Sequence, residues 1–412
     1  MRILMVSEDL PSPTGGGLAK HVLTLCKTFK QQGHYIDLMG SNEHAWPIDH
    51  PTSTYAHHFY PELTGQYLGW KEIALGIFNP LKRTYTARRF AHVIKRRASN
   101  YDVIHYHGHY PNLAAFIPSN VNFIQTRHDQ GSECLTHIRF KKGAICNSID
   151  ASDCAGCRTL HPNFLQKLIS TIAVKRFRHE VRLGFEKHKT LFVSDFLKIK
   201  TNHCLGNHHS GITLHNFIDQ QDIAIAKNTS LYPSLPNPTK NKRFFIAAKL
   251  YEAKGVAALL EALLEHPIPN IEIIIAGDGE QEQWLRDRYQ SSHIYFLGWQ
   301  SAANTLAYAM QADAMIIPSI CEEACPTTVL EGLALGKPVF ALARGGTTEL
   351  HIYETYPKQL QLFTDMKSLA ASLAIFQPSS NSAIAQNRYP DVIHAAQSLI
   401  TLYQHPPGPL SN

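Results

Sequence analysis

Residues 271–277 read Ile-Glu-Ile-Ile-Ile-Ala-Gly. A run this apolar has no polar face to offer water, so as a strand it must be covered on both sides, as in a parallel sheet. Comparable runs stand at 244–248, 294–297, 314–318 and 338–341. Between them, at 256–264, 280–289, 303–310 and 328–335, apolar residues recur at helical spacing. Strand and helix alternating in this way predict a doubly wound α/β domain. The N-terminal half repeats the theme. Strands are expected at 2–7, 35–39, 102–106, 122–126 and 190–193, and the first is followed by a glycine-rich turn at 11–17. Leu18, Val22, Leu25, Cys26 and Phe29 then mark a helix that Gly33 stops. The fold class is therefore α/β, with two parallel-sheet domains in tandem.

Length agrees: 412 residues suit two domains. The expected division is 1–225, a proline-rich linker at 226–242, a second domain at 243–385, and a C-terminal helix and tail at 386–412 that packs back on the first domain. Lys plus Arg exceed Asp plus Glu by 39 − 33, or +6, too weak an excess over this length to mark a nucleic-acid binder. No stretch approaches the roughly 18 apolar residues that span a bilayer, and residues 3–6 are too short for a signal peptide. The expected location is cytoplasmic, with reduced thiols.

Ligands of doubly wound domains sit beyond the carboxyl ends of the strands. There, in the second half, Glu323 and Glu331 are eight apart. Pro326, Thr327 and Thr328 open a helix whose N–H groups and dipole suit a phosphate. Glu331, one turn in, has the reach and lone pairs for a diol such as ribose, and Glu323 precedes it in the loop. Lys249 and Lys254 follow the strand at 244–248, and with glycine turns they complete a dianion site. No Asp-x-Asp handle for a metal-bound nucleotide is present, nor a G-x-G-x-x-G after the first strand.

In these residues the chain resembles family 4 of the retaining, nucleotide-sugar-dependent glycosyltransferases. The family's E-x7-E is matched by Glu323 and Glu331, and its G-K-P-V with a later G-G by Gly336, Lys337, Pro338, Val339, Gly345 and Gly346, with Glu349 beyond. Its G-R-L-x-x-x-K-G reads here Ala248-Lys249-Leu250 through Lys254-Gly255, so Lys249 replaces an arginine and loses its bidentate fork. Gly277-Asp278-Gly279 and Phe296-Leu297-Gly298, with Trp299 next, fall in the usual places. Toward the N-terminus, Gly15-Gly16-Gly17 with His21, Gly33-His34, the 102–107 strand with His105 and His107, and Arg127-His128-Asp129 match more loosely.

The resemblance implies a GT-B fold: two facing Rossmann-like domains with an interdomain cleft, donor in the second and acceptor in the first. It implies sugar transfer from a UDP- or GDP-sugar with retention and without a catalytic metal. The acceptor would be a glycan or lipid-linked sugar of the cell envelope. Glu323, His128 and Lys254 would carry catalysis. Gly16, Gly17, Lys249, Lys254, Gly277, Gly298, Trp299, Pro326, Thr327, Thr328 and Glu331 would bind the donor. A nucleotide-sugar epimerase, a glycogen-synthase-like enzyme and a non-catalytic carbohydrate-binding relative are the alternatives on this fold.

Two features lie outside that pattern. Cys146, Cys154 and Cys157, with Cys134 and His161 nearby, have spacing open to a structural zinc, to unpaired thiols or to a redox-dependent disulfide. Cys26, Cys204, Cys321 and Cys325 read as buried thiols. Residues 82–97 hold Lys82, Arg83, Arg88, Arg89, Lys95, Arg96 and Arg97 and no acid, and 168–189 is also basic. As amphipathic helices these suit an anionic inner-membrane surface, which would make the protein peripheral on its cytoplasmic face.

Overall fold

The computed structural model describes residues 1–11, 17–43, 46, 51–64, 80–157, 163–206, 211–227, 241–378 and 389–404. The chain forms two compact units, one of Met1–Arg139, Cys146–His215 and Val392–Asn412, the other of Phe140–Ile145 and Asn216–Asp391.

The first unit is built on strands β1 (Arg2–Val6), β2 (Tyr35–Ser41), β3 (His58–Leu63), β4 (Val103–His107) and β5 (Phe123–Arg127). A small antiparallel hairpin, β6 (Phe140–Lys141) and β7 (Ala144–Ile145), groups with the second unit. Strands β8 (Lys189–Phe192) and β9 (Ile212–Thr213) complete a seven-stranded sheet in the order β3-β2-β1-β4-β5-β8-β9. Its pairings are parallel, with Ile3 beside Ile36 on one side and Val103 on the other. Both β4 and β5 are buried along their whole length, as expected of strands with helices on both faces.

Helix α1 (Gly17–Gln31) turns Val22, Leu25, Cys26 and Phe29 inward. It is followed by α2 (Pro80–Lys95), the short α3 (Ala151–Ala155), α4 (Phe164–Lys187) and α5 (Asp195–Leu205). A reciprocal capping box between Asn163 and Gln166 starts α4.

Residues 216–225, placed with the first domain by the sequence, group with the second unit. They carry α6 (Gln220–Ala226), and Ile218 N–H donates to the Pro390 carbonyl at 3.0 Å. In the second unit β10 (Lys242–Ala247), β11 (Ile271–Ala276), β12 (Ile294–Gly298), β13 (Ala314–Ile317), β14 (Val339–Leu342) and β15 (Leu360–Phe363) form a parallel sheet ordered β12-β11-β10-β13-β14-β15. The helices between are α7 (Val256–Glu265), α8 (Glu282–Tyr289), α9 (Ala302–Gln311), α10 (Thr327–Ala334) and α11 (Met366–Ile375). Phe244, Ile246, Ile273, Ile275 and Ile316 meet Leu259, Leu260 and Leu369 in its core. Strand β15 was not anticipated: Leu-Gln-Leu-Phe is only four residues long, and pairing with β14 gives it its strand character. The last helix, α12 (Val392–Gln404), belongs to the first unit, where the Tyr403 hydroxyl lies 2.6 Å from His105 Nδ1.

The basic run at 82–97 is not the open seven-charge face its sequence predicts. Arg83 is buried, donating to the Leu135 carbonyl and lying 3.1 Å from His137 Nε2. Arg97 is ion-paired with Glu62. Arg89 is half-buried, while Arg88, Lys95 and Arg96 are exposed. A helix that packs on a domain must bury one face, and here that face takes cations with it.

Candidate active site

The turns after β10 and β13 bring Lys254 and Glu323 together. A 3-10 turn at Glu252–Lys254 ends at Gly255, whose φ is +71°. A Cβ there would meet the Pro318 carbonyl oxygen at 2.0 Å, so only glycine lets the two turns approach. Ala253 O then accepts from both Ile320 N–H and Cys321 N–H, at 3.0 and 3.1 Å. Across this clasp Lys254 Nζ donates to Glu323 Oε1 at 2.5 Å, and Ser319 Oγ donates to the same oxygen at 2.6 Å. Burial pushes the lysine pKa down, but the Glu323 charge outweighs it and holds Lys254 above the usual lysine range. Burial raises Glu323, and the Lys254 charge more than reverses that, leaving it below the usual carboxylate range. The Gly345-Gly346 turn fixes the other side: Gly346 N–H donates to the Glu323 carbonyl at 2.8 Å.

Helix α10 begins at Thr327, three residues beyond this carboxylate's neighbour Ala324. Its N-cap, Pro326, gives no side-chain cap hydrogen bond, so the first turn presents backbone N–H groups. Thr327, Thr328 and Glu331 are half-buried on α10. Lys249 behaves differently from Lys254. It is exposed and ion-paired with Asp278 at 2.8 Å. Asp278 sits between Gly277 and Gly279, and a Cβ on Gly277 would lie 1.8 Å from the Ala248 carbonyl oxygen. Gly277 N–H donates to the Gly298 carbonyl at 2.8 Å, and Trp299 beside it is half-exposed. One unit thus places Lys249, Lys254, Gly277, Gly298, Trp299, Glu323, Pro326, Thr327, Thr328 and Glu331 at or after the carboxyl ends of β10, β11, β12 and β13. The contribution of Asp278 escaped the sequence reading, because pairing across 29 residues (Lys249 to Asp278) has no local pattern; that of Ser319 escaped it although Glu323 is only four residues away.

The remaining expected residues lie in the first unit. Gly15 and Gly16 fall outside the described residues; Gly17 opens α1, and an added Cβ there would meet no atom of the described residues within 4 Å. His128 stands after β5 with its Nε2 2.9 Å from His107 Nδ1, and its ring centroid is 4.7 Å from that of His21. Burial drives His21 down to about 3 and pushes His107 and His128 well below the ordinary histidine range. His128 is therefore a neutral hydrogen-bonding group. His105 and His107 are both buried, His105 bridging Tyr403 and Thr126.

A second cluster went unread. His109 lies 3.1 Å from Asp9 and 3.3 Å from Asp129, and His137 lies 3.0 Å from Asp129. Burial opposes the His109 charge, yet hydrogen bonds to Asp129 and Asp9 hold its pKa well above the usual value. Among the described residues, His21–His107–His128 and His109–Asp129–His137 are the groups whose ligand atoms lie within 4.8 Å of one another.

The zinc expectation at Cys134, Cys146, Cys154 and Cys157 is not supported: among the described residues they form no such group, and His161 falls outside those residues. Arginines stand among the thiols instead. Arg178 Nη2 lies 3.2 Å from Cys154 Sγ and Arg139 Nη1 lies 2.6 Å from Cys204 Sγ. Cys204 is thus half-buried against a cation and is no ordinary core thiol. Burial raises the Cys154 and Cys204 pKa values, against the nearby Arg178 and Arg139 charges, which lower them.

Comparison with known proteins gives this geometry its class. The Anabaena protein HepE, solved in complex with UDP, superposes with a TM-score of 0.62 at 16% identity, covering 98% of this chain and 100% of that one. The fold is GT-B, with two Rossmann-like units. Residues 15–160 match the family model "Glycosyltransferase Family 4" and residues 229–357 match "Glycosyl transferases group 1". The chain belongs to the family 4 glycosyltransferases. An uncharacterized glycosyltransferase of Methanocaldococcus jannaschii is 22% identical over 378 residues, 87% of this chain and 86% of the relative. A phosphatidyl-myo-inositol mannosyltransferase of Mycobacterium leprae is 26% identical over 189 residues, 44% of this chain and 47% of the relative.

Proposed function

We propose that this glycosyltransferase is a retaining, metal-independent enzyme that moves a sugar from a UDP- or GDP-sugar to a lipid-linked or glycan acceptor of the cell envelope. The observation that carries the reading is the Lys254–Glu323–Ser319 cluster beside the uncapped start of α10. An arriving diphosphate takes over the Lys254 ammonium and the α10 N–H groups, which frees Glu323 for sugar hydroxyls. As the bond from the anomeric carbon to the phosphate oxygen breaks, charge grows on the diphosphate and Lys254 offsets it. The acceptor oxygen bonds the anomeric carbon, and its proton leaves on the diphosphate. Glu331 holds the ribose, and Lys249 exchanges Asp278 for phosphate. UDP in the Anabaena structure favours uridine as the base, and the name of the mycobacterial relative favours a lipid-borne acceptor.

The test is incubation with UDP- and GDP-sugars in EDTA, with hydrolysis and transfer followed by anomeric NMR. Retained configuration with activity surviving EDTA supports the reading. An inverted product, or activity only with a divalent ion, overturns it. A free epimer of the sugar nucleotide would identify an epimerase, and binding without turnover a non-catalytic relative.

A further inference from the structure

Helix α4 leaves its first three turns uncovered. Its inner face is buried through Ser170, Ala173, Val174, Phe177, Val181 and Phe185. On the outer face Phe164, Leu165, Leu168, Ile169 and Ile172 are 47–84% exposed. Positions 165, 168, 169 and 172 lie on one side of a helix, so these side chains form a continuous apolar patch. Such a patch marks a contact surface, since each exposed large aliphatic chain carries an unmet hydration cost.

The same helical face changes character one turn later. Lys175, Arg176 and His179 follow at the next positions, all exposed. From Phe164 to His179 the helix contains Lys167, Lys175, Arg176 and Arg178 and no acid. Arg176 leans on the buried Glu180 at 3.1 Å but stays about half-exposed. Helix α2 packs alongside, with Thr84 Oγ donating to Glu180 Oε2 at 2.7 Å and Arg83 over the Phe177 ring. It adds exposed Tyr85 and Arg88, and residues 80–101 contain no acid.

We propose that the first turns of α4 insert into the interfacial layer of an anionic bilayer, with the α4 and α2 cations on the lipid phosphates. The order of chemistry along the helix, an apolar end and then a one-sign cationic band, matches the depth order of acyl chains and anionic headgroups. A second copy of the chain fits less well, since it would bring cations against cations. The bilayer contact rests on the lipid-linked-acceptor reading only for its purpose. It moves the contact from the run at 82–97 to a helix whose sequence showed its charge but not its bare face.

Flotation of the full-length protein with vesicles of phosphatidylcholine alone, or mixed with phosphatidylglycerol, tests this without donor or acceptor. Wild type should float with the anionic vesicles and release in high salt. The triple variant Leu165→Glu, Ile169→Glu, Ile172→Glu should bind at least ~10-fold less tightly at every salt concentration. Lys167→Glu with Lys175→Glu should weaken binding at low salt only. All these positions face solvent, so circular-dichroism melts should match wild type. Unchanged flotation of the triple variant, equal binding to neutral vesicles, or a wild-type dimer that Ile169→Glu splits, would overturn the proposal. Absent transferase activity with intact flotation would count against the enzymatic reading alone.

Discussion

Replacing Lys254 with Met tests the central ion pair by removing one partner and keeping the length of the side chain. Glu323 would then keep the Ser319 hydroxyl as a donor, its side chain only 16% exposed. Breaking a buried pair from one side costs about 3–5 kcal/mol, because the surviving charge has lost its compensation. The partial exposure of Lys254, 22%, places the expected cost near the lower end, about 3 kcal/mol. At 2–4 °C per kcal/mol for a unit of this size, the melting temperature should fall by roughly 6–12 °C. The pH dependence has a definite sign. In wild type the Glu323 pKa is depressed, so the pair's stabilisation is present above the unfolded carboxylate value and is lost as pH falls through the folded value. In the variant, burial acts unopposed and the carboxyl takes up its proton more readily. The deficit against wild type should therefore be largest at pH 7.5 and shrink toward pH 5. Adding Glu323→Gln should recover much of the loss, and the double-mutant cycle should show coupling above about 1 kcal/mol. Differential scanning calorimetry on the four proteins measures this. A Lys254→Met variant as stable as wild type at pH 7.5, or a cycle that closes without coupling, would refute the pair as a buried, interdependent unit.

Turnover of Lys254→Ala should drop at least about 100-fold from the loss of charge stabilisation on the leaving diphosphate, read as initial rate at saturating donor. By contrast, Lys249→Ala should cost under about 1 kcal/mol of stability, because its pair with Asp278 is solvent-exposed; Lys249→Arg should keep full activity. Calorimetric titration should show weaker UDP binding by Glu331→Ala, whereas Glu323→Gln should change turnover far more than UDP affinity. Acid should destabilise the first unit from about pH 6.5 downward. His21, His105, His107 and His128 are held neutral by burial and the unfolded chain protonates them first, an effect that His109, with its raised value, opposes. A first-unit melting temperature that stays flat between pH 7 and pH 5 would contradict that assignment.

The sequence by itself determined the two parallel sheets and placed the second unit's candidate residues after the ends of its strands. Runs such as 271–277 permit only strands covered on both faces, and β11 is buried at every position. Glycines were legible for the same reason: Gly255 and Gly277 are forced by carbonyl oxygens closer than any Cβ allows. Spacing also placed Glu323 and Glu331 correctly about the start of α10. Tertiary structure decided which charges meet. Lys254 with Glu323, Lys249 with Asp278, and Asp129 with His109 are joined only when separate strands end side by side. It also decided which cations are free, burying Arg83 and pairing Arg97 while leaving the α4 face open. It set Arg178 against Cys154 and Arg139 against Cys204, contacts that the zinc-like spacing does not show. Periodicity along the chain encodes burial, because burial repeats with the helix and strand geometry. Charge pairing depends on distances across the fold, and no local period records them.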